Sequence, residues 1–413
     1  MLPDEPLWRL QLRRTFAALG YRNYRLWFLG QLVSLLGTWM QATAQAYLVF
    51  ELTHSAAYLG YVAFAAGIPP WLFMLYGGVV ADRVSRRKLL LVTQACMLLL
   101  AAVLAVLAFT GAVQAWHILC LAFALGVVNA FDAPARHALV SDLVPREDLT
   151  NAIALNSTMF NAATAVGPAA AGLTYDWFGP GWCFGLNAGS FVGVLVALAL
   201  IRLPPTPPRP PAGPAGRELA EGLRFAAGHR EIRLLLGLVV ALSLFGLAFA
   251  TLMPAWAVNV LGGGAATNGF LMSARGAGAL VGALAIASLG RIRFHGRLLT
   301  WASLAFPAAV LVFSALRHQT LALAVLVLAG GAMIVCFNLC NALVQTLAPD
   351  ALRGRVMGIY SLAFFGFMPA GGLLAGALAT RLGEPLTVAA GAAVFLALAL
   401  GVRLLQPSLS RLE

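Results

Sequence analysis

The sequence predicts an all-α integral membrane protein: twelve transmembrane helices in two six-helix pseudo-symmetric bundles. Composition, the number of apolar stretches and an internal repeat carry that expectation. Of 413 residues, 61% are hydrophobic and 10% charged, whereas a soluble domain carries about a quarter charged residues. Apolar stretches start near Tyr24, Ala56, Leu89, Ala115, Thr150, Gly181, Leu234, Thr267, Leu298, Thr320, Val356 and Leu386, each about the 20 residues a bilayer requires. Ala138-Leu139-Val140 with Pro145, Ser157, Ala171-Gly172 and Gly179 returns at a constant offset as Ala342-Leu343-Val344 with Pro349, Ser361, Ala375-Gly376 and Gly383.

Tandem membrane halves are the architecture of carriers, in which two bundles rock around a site near the bilayer midplane. The halves are expected at 1–202 and 231–413, joined by a cytoplasmic linker at 203–230. Within that linker, Leu203 to Gly216 holds seven prolines, from Pro204 to Pro214, and reads as an extended chain. Glu218 to Arg230 then reads as a short amphipathic helix. Either it lays Leu219, Leu223 and Phe225 on the membrane surface, or it is a plain connector.

The net charge of +12 raises the question of nucleic acid, and the placement of the cations answers it. With the N-terminus inside, the outer loops hold only Arg317 and Arg381, and Arg136 and Arg275 fall within helices. Every other Arg and the single Lys88 lies in a tail, linker or loop on the inner side. That is the positive-inside pattern, and it puts both termini in the cytoplasm. A basic face on a soluble body is not visible, so no nucleic-acid partner is expected. The first 23 residues are polar and basic and the apolar run after them is too long for a cleaved signal, so the first helix is expected to be retained. Cys96, Cys120, Cys183, Cys336 and Cys340 lie in apolar segments without metal-ligand pairing, and no metal or cofactor is expected.

The second helix closes on Gly78-Val79-Val80-Ala81-Asp82-Arg83-Val84-Ser85-Arg86-Arg87-Lys88. Asp82 at a helix C-terminus opposes the macrodipole and calls for a partner. The free N–H groups at the start of the eleventh helix, by Arg353-Gly354-Arg355, lie on the same side and suit that role. A latch between the halves follows, made of Gly78, Asp82, Arg83, Arg86, Arg87, Asp142, Arg353 and Arg355. This stretch resembles the conserved loop motif of the major facilitator superfamily, with Ser85 where the motif usually has glycine. The second half keeps only Gly282 and the basic cluster from Arg291 to Arg297.

A narrower resemblance covers Asn129-Ala130-Phe131-Asp132-Ala133-Pro134-Ala135-Arg136, the run from Asp142 to Leu149, Asn151 to Ser157, Gly167-Pro168 and Arg353 to Met357. These segments are similar to the branch of the superfamily that contains enterobactin and macrolide exporters, although that branch commonly has an arginine where this chain has Thr164. The resemblance implies a bacterial inner-membrane location.

Gln31, Ser34, Thr38, Gln41 and Gln45 fall on one face of the first helix. Facing lipid, that stripe would leave amides unsatisfied at several kcal/mol each, so it lines either a wet cavity or an interhelical seam. Asn338, Asn341 and Gln345 repeat the spacing in the tenth helix, and the resemblance implies that both helices border a central cavity, with Asn129 of the fourth. Asp132 lies inside the fourth helix, where an ionised carboxylate costs about 2.5–3.5 kcal/mol, one turn before Arg136. The two are either a structural pair or a proton-coupling site. Arg275, about 12 Å into the eighth helix, is a candidate for an anionic substrate or a carbonyl.

Together these readings predict a monomeric secondary transporter. It would export amphipathic small molecules, siderophore- or drug-like, by proton antiport with alternating access. A lysophospholipid or other lipid translocator is the alternative. An enzyme would need paired acids, a metal set or a nucleophile with its base, and none is readable; ATP-driven pumping would need a phosphate-binding glycine loop, also missing.

Overall fold

Each apolar stretch begins its helix within about one turn of where the sequence places it. A computed structural model describes residues 15–202, 215–288, 294–350 and 352–406, with the side chains of residues 74, 75, 82 and 215–219 outside the description. The first half comprises α1 (Arg22–Thr53), α2 (Ala56–Arg83), α3 (Arg86–Phe109), α4 (Ala115–Leu143), α5 (Leu149–Phe178) and α6 (Pro180–Leu200). A short helix α7 (Ala215–Gly228) precedes the second half, α8 (Arg230–Val260), α9 (Ala265–Ser288), α10 (His295–Ala315), α11 (Gln319–Leu347), α12 (Arg353–Leu382) and α13 (Glu384–Leu405). Among the described residues, ten helices are long and apolar enough to cross a bilayer; α1 and α5 are not among them. Both carry runs of Gln, Asn, Ser and Thr, which must turn inward in a membrane.

The sequence repeat is a structural repeat. Residues α4 and α11 share begin and end at equivalent positions, as do α5 and α12, each pair having the same length: 29 residues for the first and 30 for the second. Both repeats end on a glycine of positive φ, Gly179 at +86° and Gly383 at +77°. A side chain is strained there, and each glycine opens directly into the next helix, which carries proline in its first turn, where the missing N–H is harmless.

The symmetry fails at α8. Its counterpart α1 is a continuous α-helix of 32 residues, whereas α8 passes through π-helical turns at Leu242–Gly246 and Trp256–Val260 with a 3-10 stretch at Ala248–Leu252 between them. Gly246 and Pro254 sit at these irregularities, the residue types that most weaken a regular ladder.

Inside the first half α1 packs on α5 and α6, α2 on α4, and α3 on α4 and α6; inside the second, α11 packs on α9 and α10, and α10 on α13. The second half has one continuous apolar core, in which Trp256 stacks on Phe313 at 4.5 Å and Phe249, Phe306 and Phe395 fill the space beyond. The core of the first half is divided into smaller clusters. A cavity separates them.

Two seams join the halves, α5 with α9 and α2 with α12. Both are made by glycines that let backbones touch. A Cβ on Gly172 would lie 2.6 Å from the Ala265 carbonyl oxygen, and one on Gly376 would lie 2.6 Å from that of Ala56. Along the first seam the Ala169 N–H donates to Ser273 Oγ at 2.8 Å, and the Ala266 N–H, in the first turn of α9, donates to Asp176 at 3.2 Å. These contacts lie toward one end of the bundle, the end away from the chain termini. Toward the terminal end the seams lose contact: Gly78 of α2 and Gly354 and Gly358 of α12 have nothing within 4 Å of a built Cβ. The halves are therefore closed at the far end and parted at the terminal end.

The amphipathic helix of the linker runs a few residues earlier than the sequence suggests and docks on α12. Gly222 meets Arg355 and Ile359, Ala226 is buried, and Leu223 points out, 57% exposed. The proline stretch 203–214 lies outside the described residues. At the start of the chain, Tyr21 donates a hydrogen bond to Asp148 at 2.7 Å, and this bond, with minor burial and charge effects, pushes the phenol above its usual range.

Candidate functional site

A cavity of about 370 Å³ lies among α1–α6, within the ordinary range for small-molecule sites. Ala250 and Thr251, from the irregular stretch of α8, complete its wall. All five polar residues of the α1 stripe reach it: Gln31, Ser34, Thr38, Gln41 and Gln45. Their three- and four-residue spacing keeps them on one face of α1, and α6 approaches closely enough for Asn187 to donate to Gln41 Oε1 at 2.6 Å. Leu35 and Trp39 of α1, with Met97, Leu125, Phe160 and Phe191 of the facing helices, give the apolar part of the wall.

From α4, Asn129, Asp132 and Arg136 reach the same cavity. At roughly 1.5 Å per residue, Asp132 lies about 16 Å in from the end of its helix at Leu143, and it is 1% exposed. Two neutral donors from α3 converge on one of its oxygens: Thr93 Oγ1 at 2.8 Å and Gln94 Nε2 at 2.9 Å. Arg136 Nε stands 3.6 Å from the other oxygen, an ion pair too long to be a good hydrogen bond. The carboxylate is thus held mainly across helices, by residues that the sequence reading passed over. The available signal was Thr93-Gln94, a polar pair inside the apolar run of α3.

Other expected site residues lie elsewhere. Arg275, Asn338 and Asn341 do not line this cavity. Arg275 sits where α9 is pressed against its neighbours: its backbone carbonyl would meet a Cβ on Gly330 of α11 at 2.0 Å, and its side-chain Nε is enclosed without a partner. Asn341 accepts a hydrogen bond from Gln345 one turn along the same helix at 2.6 Å. The α11 spacing mirrors that of α1, but its polar face is turned away from the core of the second half, with Asn338 and Asn341 half-buried and Gln345 exposed.

Among the described side chains, the expected latch residues are not joined across the halves in this conformation. Arg86 pairs with Asp142 at 2.7 Å and also donates to the Ala138 carbonyl, which ties α3 to α4. Arg87 donates to the carbonyls of Leu198 and Ala199 at the end of α6. In the second half Arg353 pairs with Asp350 and Arg355 with Glu221 of α7 at 2.7 Å. No ion pair among the described residues bridges the halves. Arg83 is exposed, and the side chain of Asp82 lies outside the description. Because the Arg86–Asp142 pair is partly buried, Asp142→Asn is expected to lower stability by about 1–2 kcal/mol. The check is thermal unfolding in detergent: Arg86→Gln with Asp142→Asn should cost no more than either change alone.

Two packed helical halves, closed at one end, with a polar cavity lined almost wholly by the first, have the form of a membrane transporter. The chain belongs to the transmembrane secretion effector family of the major facilitator superfamily, whose profile matches residues 13–412. It is similar to the enterobactin exporter EntS of Shigella flexneri, 28% identical over 339 residues that cover 82% of this chain and 80% of the relative. The EntS of Escherichia coli O1:K1 is also 28% identical, over 342 residues with the same coverage. Among solved structures, the nucleoside transporter NupG superposes with a TM-score of 0.72 at 14% identity, covering 92% of this chain and 99% of that one. A bacterial homologue of the human lysosomal transporter Spinster, in an inward-facing and unoccupied conformation, gives 0.68 at 15% identity, covering 94% and 97%. These two likenesses carry the fold.

Proposed function

We propose that this protein is a secondary active exporter of amphipathic small molecules, siderophore- or drug-like. It would work by proton antiport, as its halves, 1–202 and 231–413, rock around the cavity. The observation that carries the proposal is Asp132, a buried carboxylate in the cavity wall. An ionisable group in a spanning helix is costly and is kept mainly where it works. Its surroundings are simple: Arg136 is the only other charged side chain in the wall, His137 is next on the same helix, and Thr93 and Gln94 face it from α3. When the cavity opens to water on one side and then the other, the hydration of this carboxylate changes, and so does its hold on a proton. Relatedness to an enterobactin exporter supports export of a siderophore-like cargo.

In this reading the terminal end is cytoplasmic, because nearly all cations lie there, and the conformation described is open to the cytoplasm. The latch made of Gly78, Asp82, Arg83, Arg86, Arg87, Asp142, Arg353 and Arg355 would assemble only when that end closes. Membrane-impermeant thiol labelling of intact cells tests the orientation, in a chain whose native cysteines are replaced. Ala112→Cys, in the loop between α3 and α4, should react; Ala227→Cys, at the end of α7, should react only after permeabilisation. The reverse pattern overturns the orientation. The function itself is tested by proteoliposome flux under an imposed pH gradient.

A further inference from the structure

Two side chains of the cavity wall each carry a buried polar atom that has no partner in the protein. Gln31 Nε2, on α1, is a donor without an acceptor, and Gln94 Oε1, on α3, is an acceptor without a donor. Both side chains are 2% exposed and both line the cavity. At roughly 1.5 Å per residue, Gln31 lies about 14 Å in from Arg22 and Gln94 about 12 Å in from Arg86, a depth close to that of Asp132. The orientation of the Gln94 amide is fixed. Its NH2 donates to Asp132, and turning it over would set its oxygen against the carboxylate.

Leaving such atoms unpaired costs about 1–3 kcal/mol each, and their natural use is to meet a ligand that supplies the missing partners. The charge balance restricts that ligand further. Among the described residues of the wall, Asp132 and Arg136 are the only charged ones and they offset one another, so an ion entering the cavity finds no free counter-charge.

We propose that this level of the cavity recognises an uncharged cargo group that offers both an acceptor and a donor, such as a carboxamide or a hydroxylated ring, and discriminates against groups that bring a net charge. This deepens the exporter reading and rests on its assignment of the cavity as the cargo site. The test is equilibrium binding without any gradient, so failure of proton coupling leaves it intact, and failure here leaves the coupling test unaffected.

Full-length protein in nanodiscs of phosphatidylethanolamine and phosphatidylglycerol would be titrated with three 7-methoxycoumarin probes that differ only at the 3-position, where they carry a carboxamide, a carboxylate or a trimethylammoniomethyl group. Empty nanodiscs correct for partitioning. The carboxamide is expected to bind at least about tenfold more tightly than either ion, about 1.4 kcal/mol. Gln31→Leu should weaken it by about tenfold or more while leaving the melting temperature unchanged or raised, since the change removes a buried donor that has no partner. Gln31→Glu keeps the shape but adds a negative charge, and should shift the preference to the ammonium probe. The proposal is overturned if an ion binds as well as the carboxamide, if the carboxamide shows no saturable binding, if Gln31→Leu binds it as well as the wild type, or if that variant loses affinity and stability together.

Discussion

Asp132→Asn is expected to abolish accumulation of cargo against its gradient while leaving exchange across a membrane without a pH gradient within a few fold of wild type. Asn keeps the size of Asp and can still accept from Thr93 or Gln94, so the contacts that hold α3 to α4 largely survive. What disappears is the group that can take up and release a proton. Arg136→Ala should act differently. It leaves Asp132 with only its neutral donors from α3 and removes the cation that faces its other oxygen. The pH profile of gradient-driven transport should therefore change, with exchange retained. A purely structural pair makes the opposite forecast: each single change destabilises the fold, and Asp132→Asn with Arg136→Ala recovers stability together with transport. Flux in proteoliposomes, for both singles and the double, separates the two. A double variant that still concentrates cargo would sink the coupling role.

The contrast between α1 and α11 explains how much of the site could be read from sequence. Helix existence and order are legible because a bilayer demands long apolar runs, and even the cavity stripe of α1 follows from helical periodicity, since amides on one face cannot turn toward lipid. The same spacing in α11 does not reach the cavity, because helical periodicity says which residues share a face and not what that face borders: Asn338, Asn341 and Gln345 stay half-buried or exposed, while Cys336, Leu339, Cys340 and Leu343 of the same helix turn into the core. Thr93 and Gln94 escape for a related reason. Adjacent residues make no periodic stripe, and their importance comes from Asp132 on another helix. The latch is a different case: Arg353 and Arg355 are paired within the second half and with the linker helix α7 in this conformation, and sequence alone does not say which of two arrangements a chain adopts. The interruptions of α8 are announced only by Gly246 and Pro254, residues that spanning helices elsewhere in this chain absorb, as α2 does with Pro69 and Pro70.

Replacing Gly172 or Gly376 by leucine is expected to bias the protein away from the far-end-closed arrangement. Each glycine is a contact point of one seam, and at each the obstacle is a backbone carbonyl 2.6 Å from the new Cβ, so a rotamer change offers no relief. Overpacking of this kind costs about 1–3 kcal/mol. The cost falls only on the conformation in which the seam is shut, so one substitution shifts the balance by roughly 5–150-fold and both together shift it further. Gly193→Leu on α6, where nothing lies within 4 Å, is the control and should change neither conformation nor flux. Nitroxide labels at Thr110→Cys and His318→Cys, in far-end loops of the two halves, report the opening as a distance distribution. In the Gly172→Leu and Gly376→Leu variants the long-distance population should grow and steady-state export should fall, because a carrier held in one arrangement completes fewer cycles. If the distances stay put while the protein merely unfolds at lower temperature, the glycines serve packing alone. If distances and flux are both unchanged, the seams are not where the halves part.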